Sequence, residues 1–411
     1  MSCNEYSLSE LVEIIGGGTP KTTIEEYWNG NINWISIKDF NGDSKYILNT
    51  EKTITELGLN KSSTKLLKEK DIIISARGTV GALGVIKTPM AFNQSCYGLR
   101  ANNKVNSDFL YYLLKNSINI LKNNTHGSVF NTITKDTFNH IKVNLPSLEE
   151  QEKIANILSS LDDKIELNND MNKTSEEMAQ AIFKRWFVDF EFPNENGEPY
   201  KSSGGEMVES ELGMIPKGWE VKCLCDIGEI ISGGTPSTKN EEYYGGEISW
   251  ITPKDLSGYD RKFISKGERS ITELGLQKSS AKLLPKGTVL FSSRAPIGYV
   301  AIAGKEVCTN QGFKSVVCDN DVMNNNYIYY FLKSNKENIE NISSGSTFKE
   351  ISGAHMKGIK IIVPSMDILN KFNDLVKSFD SLLEKNYNEI DALEGIRDSL
   401  LPKLMSGKIK L

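Results

Sequence analysis

The chain has 411 residues, a hydrophobic fraction of 39% and a net charge of −5, which allows two to three domains with real cores. No apolar run approaches the ~20 residues that cross a bilayer, and the opening MSCNEYSLSE has no basic-then-apolar leader pattern. The six cysteines are scattered without a zinc-binding set, so they read as reduced thiols of a cytoplasmic protein.

In chain order, residues 1–145 read as a first globular body of strands and loops. GGTP at Gly17 to Pro20 predicts a tight turn rather than a phosphate cradle, because no helix clearly follows it. The runs KDIIISARG and LGVIK predict short buried strands around the turn at Gly81. SDFLYYLLKNS predicts a short helix, and HIKVNLP a strand stopped by Pro146. The period then changes. Residues 146–190 predict a long amphipathic helix, with Ser147 as its N-cap and Glu150 completing a capping box. Its apolar stripe runs through Ile154, Ile157, Leu158, Leu161 and Ile165 and resumes at Met171, Met178 and Ile182. Residues 191–218 are polar and rich in Gly, Pro and Ser, which predicts a flexible linker. Residues 219–363 read as a second body. Residues 364–411 predict a second long helix, capped by Ser365 and striped from Phe372 to Leu400, and a tail.

The second body repeats the first. Gly17, Gly18, Thr19 and Pro20 return as Gly233, Gly234, Thr235 and Pro236, and Trp34, Lys38 and Asp39 as Trp250, Lys254 and Asp255. ITELGL recurs unchanged; Arg77 matches Arg294, Asn93 and Gln94 match Asn310 and Gln311, and Ser128 matches Ser346. The offset drifts only from 216 to 218, so the unit is a duplication of roughly 200 residues, too large for a solenoid repeat. The fold expected is α+β: two pseudo-symmetric mixed α/β bodies joined by two long helices that form an antiparallel coiled coil. A helix of 38 residues would be about 57 Å long. Asn168 and Asn386 are equivalent and fall in or near the seam, either fixing its register or facing solvent.

Charge follows the same division. Residues 1–145 carry +3, 146–218 carry −9, 219–363 carry +2 and 364–411 carry −1. Mildly basic bodies permit nucleic-acid contact, while the acidic segments suit solvent or protein. No Walker-type phosphate loop, dinucleotide fingerprint or amino-methyltransferase motif is present, and the histidines have no metal spacing. His126 and His140 are Ser344 and Gly358 in the second copy, so no reaction common to both bodies can use them. The chain reads as a two-headed binder and not as a catalyst.

With these motifs in order, twice, nearly the whole chain resembles the specificity subunits of Type I restriction–modification systems. The resemblance rests on GGTP…EYW.G.I.WI…KD, SSRAPIG with its variant SARGTVG, NQ, LPSLEEQEKIANILSSLDDKIE, FKRWFVDFEF, GMIPKGWE and LLPKLMSGKI. The first body lacks the GMIPKGWE opening, which points to a shorter edge there. The resemblance implies that residues 1–145 and 219–363 are target-recognition domains, each reading one half of a bipartite site in double-stranded DNA. The helices would be the spacer and the platform for two modification (methyltransferase) subunits, which bring S-adenosylmethionine and methylate adenine. Restriction (endonuclease and translocase) subunits would bring ATP and Mg chemistry, and this chain would bind no cofactor, metal or membrane. The helix length then implies half-sites roughly 5–8 base pairs apart.

Residues that differ between the bodies should specify, and shared ones should build the fold or hold phosphate. DNA-contact candidates are Lys21, Thr22 and Thr23 with Ser237, Thr238 and Lys239 after each GGTP, Lys38 with Lys254, and Asn93 and Gln94 with Asn310 and Gln311. Ser128 and Lys135, and Ser346 and Lys349, belong to Gly-Ser loops. Arg77 and Arg294 are either phosphate contacts or structural ion pairs. Trp34 and Trp250 are expected in the core. The competing readings are a two-headed scaffold for proteins and a stand-alone DNA-modifying enzyme with a divergent site.

Overall fold

The computed structural model describes residues 4–40, 44–123, 132–343 and 349–411. The chain divides into two compact units, Met1–Asp170 with Asn388–Leu411, and Met171–Tyr387. Each unit therefore holds one body and a part of both long helices, Leu148–Phe183 and Met366–Met405.

In unit 1, Val12–Gly16, Cys96–Ala101, Ile72–Ser75, Leu83–Ile86 and Tyr46–Ile47 form a five-stranded sheet in that order. Its last pairing is parallel and the others antiparallel. A second sheet orders Lys52–Ile54, Trp28–Ile35, Met90–Phe92 and Leu66–Leu67. Asn4–Ser7 closes the body by pairing with Lys142–Leu145. The runs read as strands are strands because Ile72, Ile73 and Ile74 are buried on both faces of the sheet. Unit 2 repeats this plan, with Gly228–Ser232, Lys314–Cys318, Val289–Ser293, Ile297–Ala303 and Phe263–Ile264 in the same order.

The long helices pair antiparallel in each unit. In unit 1 Asp162 meets Arg397 at 2.8 Å and Asn168 meets Glu389 at 3.0 Å. In unit 2 Asn172 meets Asn386 at 2.8 Å, and Phe183 packs on Phe372. Ser147 caps the first helix, its Oγ accepting from the Glu150 N–H at 3.3 Å. At the start of the second helix it is the Ser365 carbonyl that accepts, from Leu369.

Three expectations change. From Ile165 onward the buried stripe of the first helix is Ile165, Asn168, Asn172, Ser175, Ala179 and Phe183, while Met171 and Met178 are exposed. Asn168 and Asn172 bond across the seam and Ser175 donates to the Met171 carbonyl of its own helix, so these polar residues can be buried and the apolar pattern misplaces its phase after Ile165. Asn168 and Asn386 are accordingly buried and not solvated. The second helix continues through Pro402 to Met405, held by Leu401 and Leu404 in the unit 1 core. Residues 191–218 are no loose linker. Phe192 stacks between Tyr200 and Trp219, and Met207–Ser210 pairs with Gly213–Pro216 as a hairpin. Buried aromatics outweigh the local Gly and Ser content.

A buried lysine joins each body to its helices. Lys45 has no exposed side-chain surface, and its Nζ lies 2.8 Å from Ser159 Oγ and 3.4 Å from Asp108. Its counterpart Lys262 lies 2.6 Å from Asp380 and 3.3 Å from the Tyr330 hydroxyl. Each ammonium also sits near tyrosine rings, Tyr111 and Tyr112 for Lys45, and Tyr329 and Tyr330 for Lys262. These joints fix how each body's loops are presented from its own unit.

Candidate nucleic-acid interface

Four loop segments meet at one end of each five-stranded sheet. In unit 1 the Gly18 N–H donates to the Phe92 carbonyl at 2.9 Å, Ala76 to Ser95 at 2.8 Å, and Ile133 to Ala76 at 3.0 Å. The GGTP segment, the Asn93–Gln94 turn, the Arg77 turn and the approach to Lys135 thus lie side by side. In unit 2 Gly234 donates to Thr309 at 2.9 Å, Ser293 to Gly312 at 2.7 Å, and Ile351 to Ser293 at 3.0 Å.

The shared motifs build this frame. Trp34 Nε1 donates to the Gly18 carbonyl at 3.1 Å, and Trp250 Nε1 to the Gly234 carbonyl at 3.0 Å. Both indoles are buried. A Cβ on Gly18 would strike the backbone of Ser63 and Thr64, and one on Gly234 that of Ser280 and Ala281. The glycines are therefore present for close backbone approach. Thr19 donates to Gln94, and Thr235 to Gln311. Asp39 accepts from the Ser36 and Glu51 N–H groups, both at 2.7 Å, and Asp255 from those of Thr252 and Glu268 at 2.7 and 2.6 Å. The KD motif is a carboxylate that ties one turn to the next strand's approach.

The other candidates fall into two sets. Lys21, Thr22 and Thr23, and Ser237, Thr238 and Lys239, are exposed beside the frame, as is Lys135 at the start of the helix Lys135–His140. Lys38 is exposed but lies 3.5 Å from Glu51; Lys254 lies 2.7 Å from Glu268, and Lys349 3.9 Å from Glu340. The Asn93 carboxamide oxygen accepts from the Ser95 N–H and that of Asn310 from the Gly312 N–H, each at 2.9 Å. Ser128 and Ser346 lie outside the described residues. The arginines differ between the units. Arg294 pairs with Glu350 at 3.5 Å. Arg77 is exposed and has no hydrogen bond or ion pair among the described residues.

The sequence reading omitted several charged groups. Glu350 and Lys314 flank Arg294, and Lys314 is nearly buried. Beneath the unit 2 body, Glu176 accepts from the Tyr329 and Tyr330 hydroxyls at 2.7 and 2.6 Å. Burial alone would raise the Glu176 pKa, but Lys333, Lys262 and the two hydroxyls together hold it below the usual carboxylate range. Burial pushes both tyrosines up. A lysine before an aromatic, Lys45-Tyr46 and Lys262-Phe263, and a tyrosine pair, Tyr111-Tyr112 and Tyr329-Tyr330, recur at equivalent places in the two bodies; that repetition was the available signal. Among the described residues no group of three or more His, Cys, Asp or Glu could hold a metal ion, and no helix is long and apolar enough to cross a membrane.

Two copies of one α+β body, each with its loops framed at a sheet end and its base locked onto paired helices, define a duplicated recognition module. The family model for the Type I restriction modification DNA specificity domain matches twice, over residues 2–177 and 216–394. The Type I restriction enzyme MjaIX specificity subunit of Methanocaldococcus jannaschii is 31% identical, over 98% of this chain and 93% of its own. The HindI specificity subunit of Haemophilus influenzae is also 31% identical, over 69% of this chain and 72% of its own. The crystal structure of a Type I system S subunit from M. genitalium shares the fold, with a TM-score of 0.61 at 17% identity over 98% of this chain and 96% of that one. The chain belongs to the family of Type I restriction–modification specificity subunits.

Proposed function

We propose that this chain reads a bipartite, asymmetric site in double-stranded DNA, one half per body, for a Type I restriction–modification enzyme. One observation carries the reading. The two bodies share a hydrogen-bonded frame down to Trp34 and Trp250, yet the exposed polar runs beside it differ, Lys21-Thr22-Thr23 against Ser237-Thr238-Lys239. A common frame with unlike crests suits two different half-sites, because base-edge contacts specify while shared groups position. Two modification subunits dock on the chain and methylate adenine with S-adenosylmethionine; restriction subunits, where present, add ATP- and Mg-dependent cleavage. This chain supplies recognition and no catalytic group, and it acts in the cytoplasm.

The test is a map of methylated adenines after expression with its modification subunit in an unmethylated host. One split motif with a fixed gap is expected, and exchange of residues 1–145 should change one half only. Changes in both halves, or no motif from a soluble complex, would overturn the reading.

A further inference from the structure

The units are not electrostatic equivalents at the Arg77 and Arg294 turns. In unit 2 Glu350 stands between two cations, 3.5 Å from Arg294 and 3.7 Å from Lys314. The Arg294 and Glu350 backbones also meet as an isolated antiparallel bridge, so the pair is carried by adjacent chain segments. In unit 1 the arginine is kept as Arg77, but both of its charged neighbours are replaced. The strand register equates Tyr97 with Lys314, since Tyr97 faces Gly16 and Lys314 faces Ser232. Tyr97 packs edge-on against Phe138, where unit 2 has Met356. Thr132 takes the place of Glu350. With no acid at that position, Arg77 stands exposed.

From this we infer that Glu350 is a specificity-tuning residue: it withholds Arg294 from a phosphate backbone, so that Arg77 makes the anion contact in unit 1 that unit 2 forgoes. The inference rests on the DNA reading above and deepens it. An uncompensated guanidinium gains by displacing counterions from DNA, whereas one already held by a carboxylate must first lose that partner. Glu350 also repels phosphate directly, a negative element of the kind that shapes selectivity. Unit 1 is then the more salt-sensitive anchor, and unit 2 depends more on groups that read base edges.

The test uses the full chain with its modification subunits and a duplex carrying the mapped motif. Affinity is measured across potassium chloride concentrations for the wild type and for Arg77→Gln, Arg294→Gln, Glu350→Gln and Thr132→Glu. Each phosphate contact contributes about one to the slope of log affinity against log salt. Arg77→Gln and Thr132→Glu should each flatten the slope by about one, and Arg294→Gln should leave it unchanged. Glu350→Gln should steepen it by about one, and adding Arg294→Gln should cancel that gain. Melting curves recorded alongside separate misfolding from charge, and Thr132→Glu probes the idea without touching Lys314. Equal slope losses for Arg77→Gln and Arg294→Gln, or an unchanged slope in a folded Glu350→Gln, would overturn the assignment while leaving the DNA reading in place. Absence of salt-dependent binding by the wild type would remove the DNA reading itself.

Discussion

Lys262→Met should damage unit 2 severely, and the structure sets the scale. The Lys262 side chain is wholly buried and its Asp380 partner is 15% exposed. Methionine keeps the apolar stem in place, so little cavity is created. The loss is then electrostatic. Asp380 would keep the Asn326 hydrogen bond but lose its cation, with Glu176 still nearby. Leaving a buried charge unpaired costs about 3–5 kcal/mol, which for a unit of this size lowers its melting temperature by roughly 6–20 °C. Calorimetry of the purified chain, resolved into its transitions, measures this. The double variant Lys262→Met with Asp380→Leu removes both charges and should recover at least half of the loss. Lys45→Met should cost less, about 2 kcal/mol, because Asp108 is 31% exposed and solvent can take over its hydration. A Lys262→Met transition within about 1 kcal/mol of wild type would refute the argument. So would a double variant no better than the single one.

Four further outcomes are expected. Gly18→Ala should disrupt the unit 1 frame and Gly234→Ala that of unit 2, each at about 1–3 kcal/mol or more because backbone must move; the methylation map should lose the matching half only. Asn386→Leu should cost about 1–3 kcal/mol by stranding Asn172, and the Asn172→Leu, Asn386→Leu pair should restore thermal stability. Glu176, held below its ordinary 4.5, binds fewer protons folded than unfolded at acid pH. Its stabilisation is therefore complete above about pH 4.5 and lost as pH falls through the folded value; acid titration of Glu176→Gln should lack this component. Among the described cysteines, exposed Cys225 should be alkylated first, while Cys96 and Cys308, buried and pushed up to about 12, should resist until the chain unfolds.

Legibility in the sequence followed the range of the interaction. Ile72 to Ser75 and the start of the first helix at Ser147 are set by neighbours within a few residues, and both were predicted from local pattern. The parallel pairings of Trp34 with Ala91 and of Tyr46 with Val85 join distant segments and left no periodic trace. Past Ile165 the sequence places Asn168 in or near the seam with its role open, but the apolar pattern gives no sign of Asn172 and Ser175, which are buried there in place of Met171 and Met178. At the candidate interface, the shared GGTP, tryptophan and KD motifs are legible as positions, but the frame they build is made of hydrogen bonds between segments far apart in the chain. For the arginines the sequence left phosphate contact and ion pair both open, and the structure gives the two copies different surroundings.

That divergence extends from the crests to the joints. Asp162 and Asp380 are equivalent, yet Asp380 holds Lys262 while Asp162 serves Arg397 and the Tyr112 hydroxyl. Position 179, the counterpart of Arg397, is a buried alanine. An arginine therefore entered one copy, or was lost from the other, and the lysine of unit 1 now leans on Asp108 and Ser159. Neither joint can be simplified at one residue alone, because removing one member leaves its partner a buried unpaired charge. The packing of each body on its helices is thus specific to its own unit, although the frame above it is common. Exchanging a body together with its helix segments should preserve stability better than exchanging the body alone. The sharpest contrast is at Lys262: the second body carried on helices with Asp380→Ser should lose about as much stability as the Lys262→Met chain, about 3–5 kcal/mol, because Lys262 is left without its ion-pair partner. A graft that loses less than about 1 kcal/mol would show that the joints are interchangeable after all.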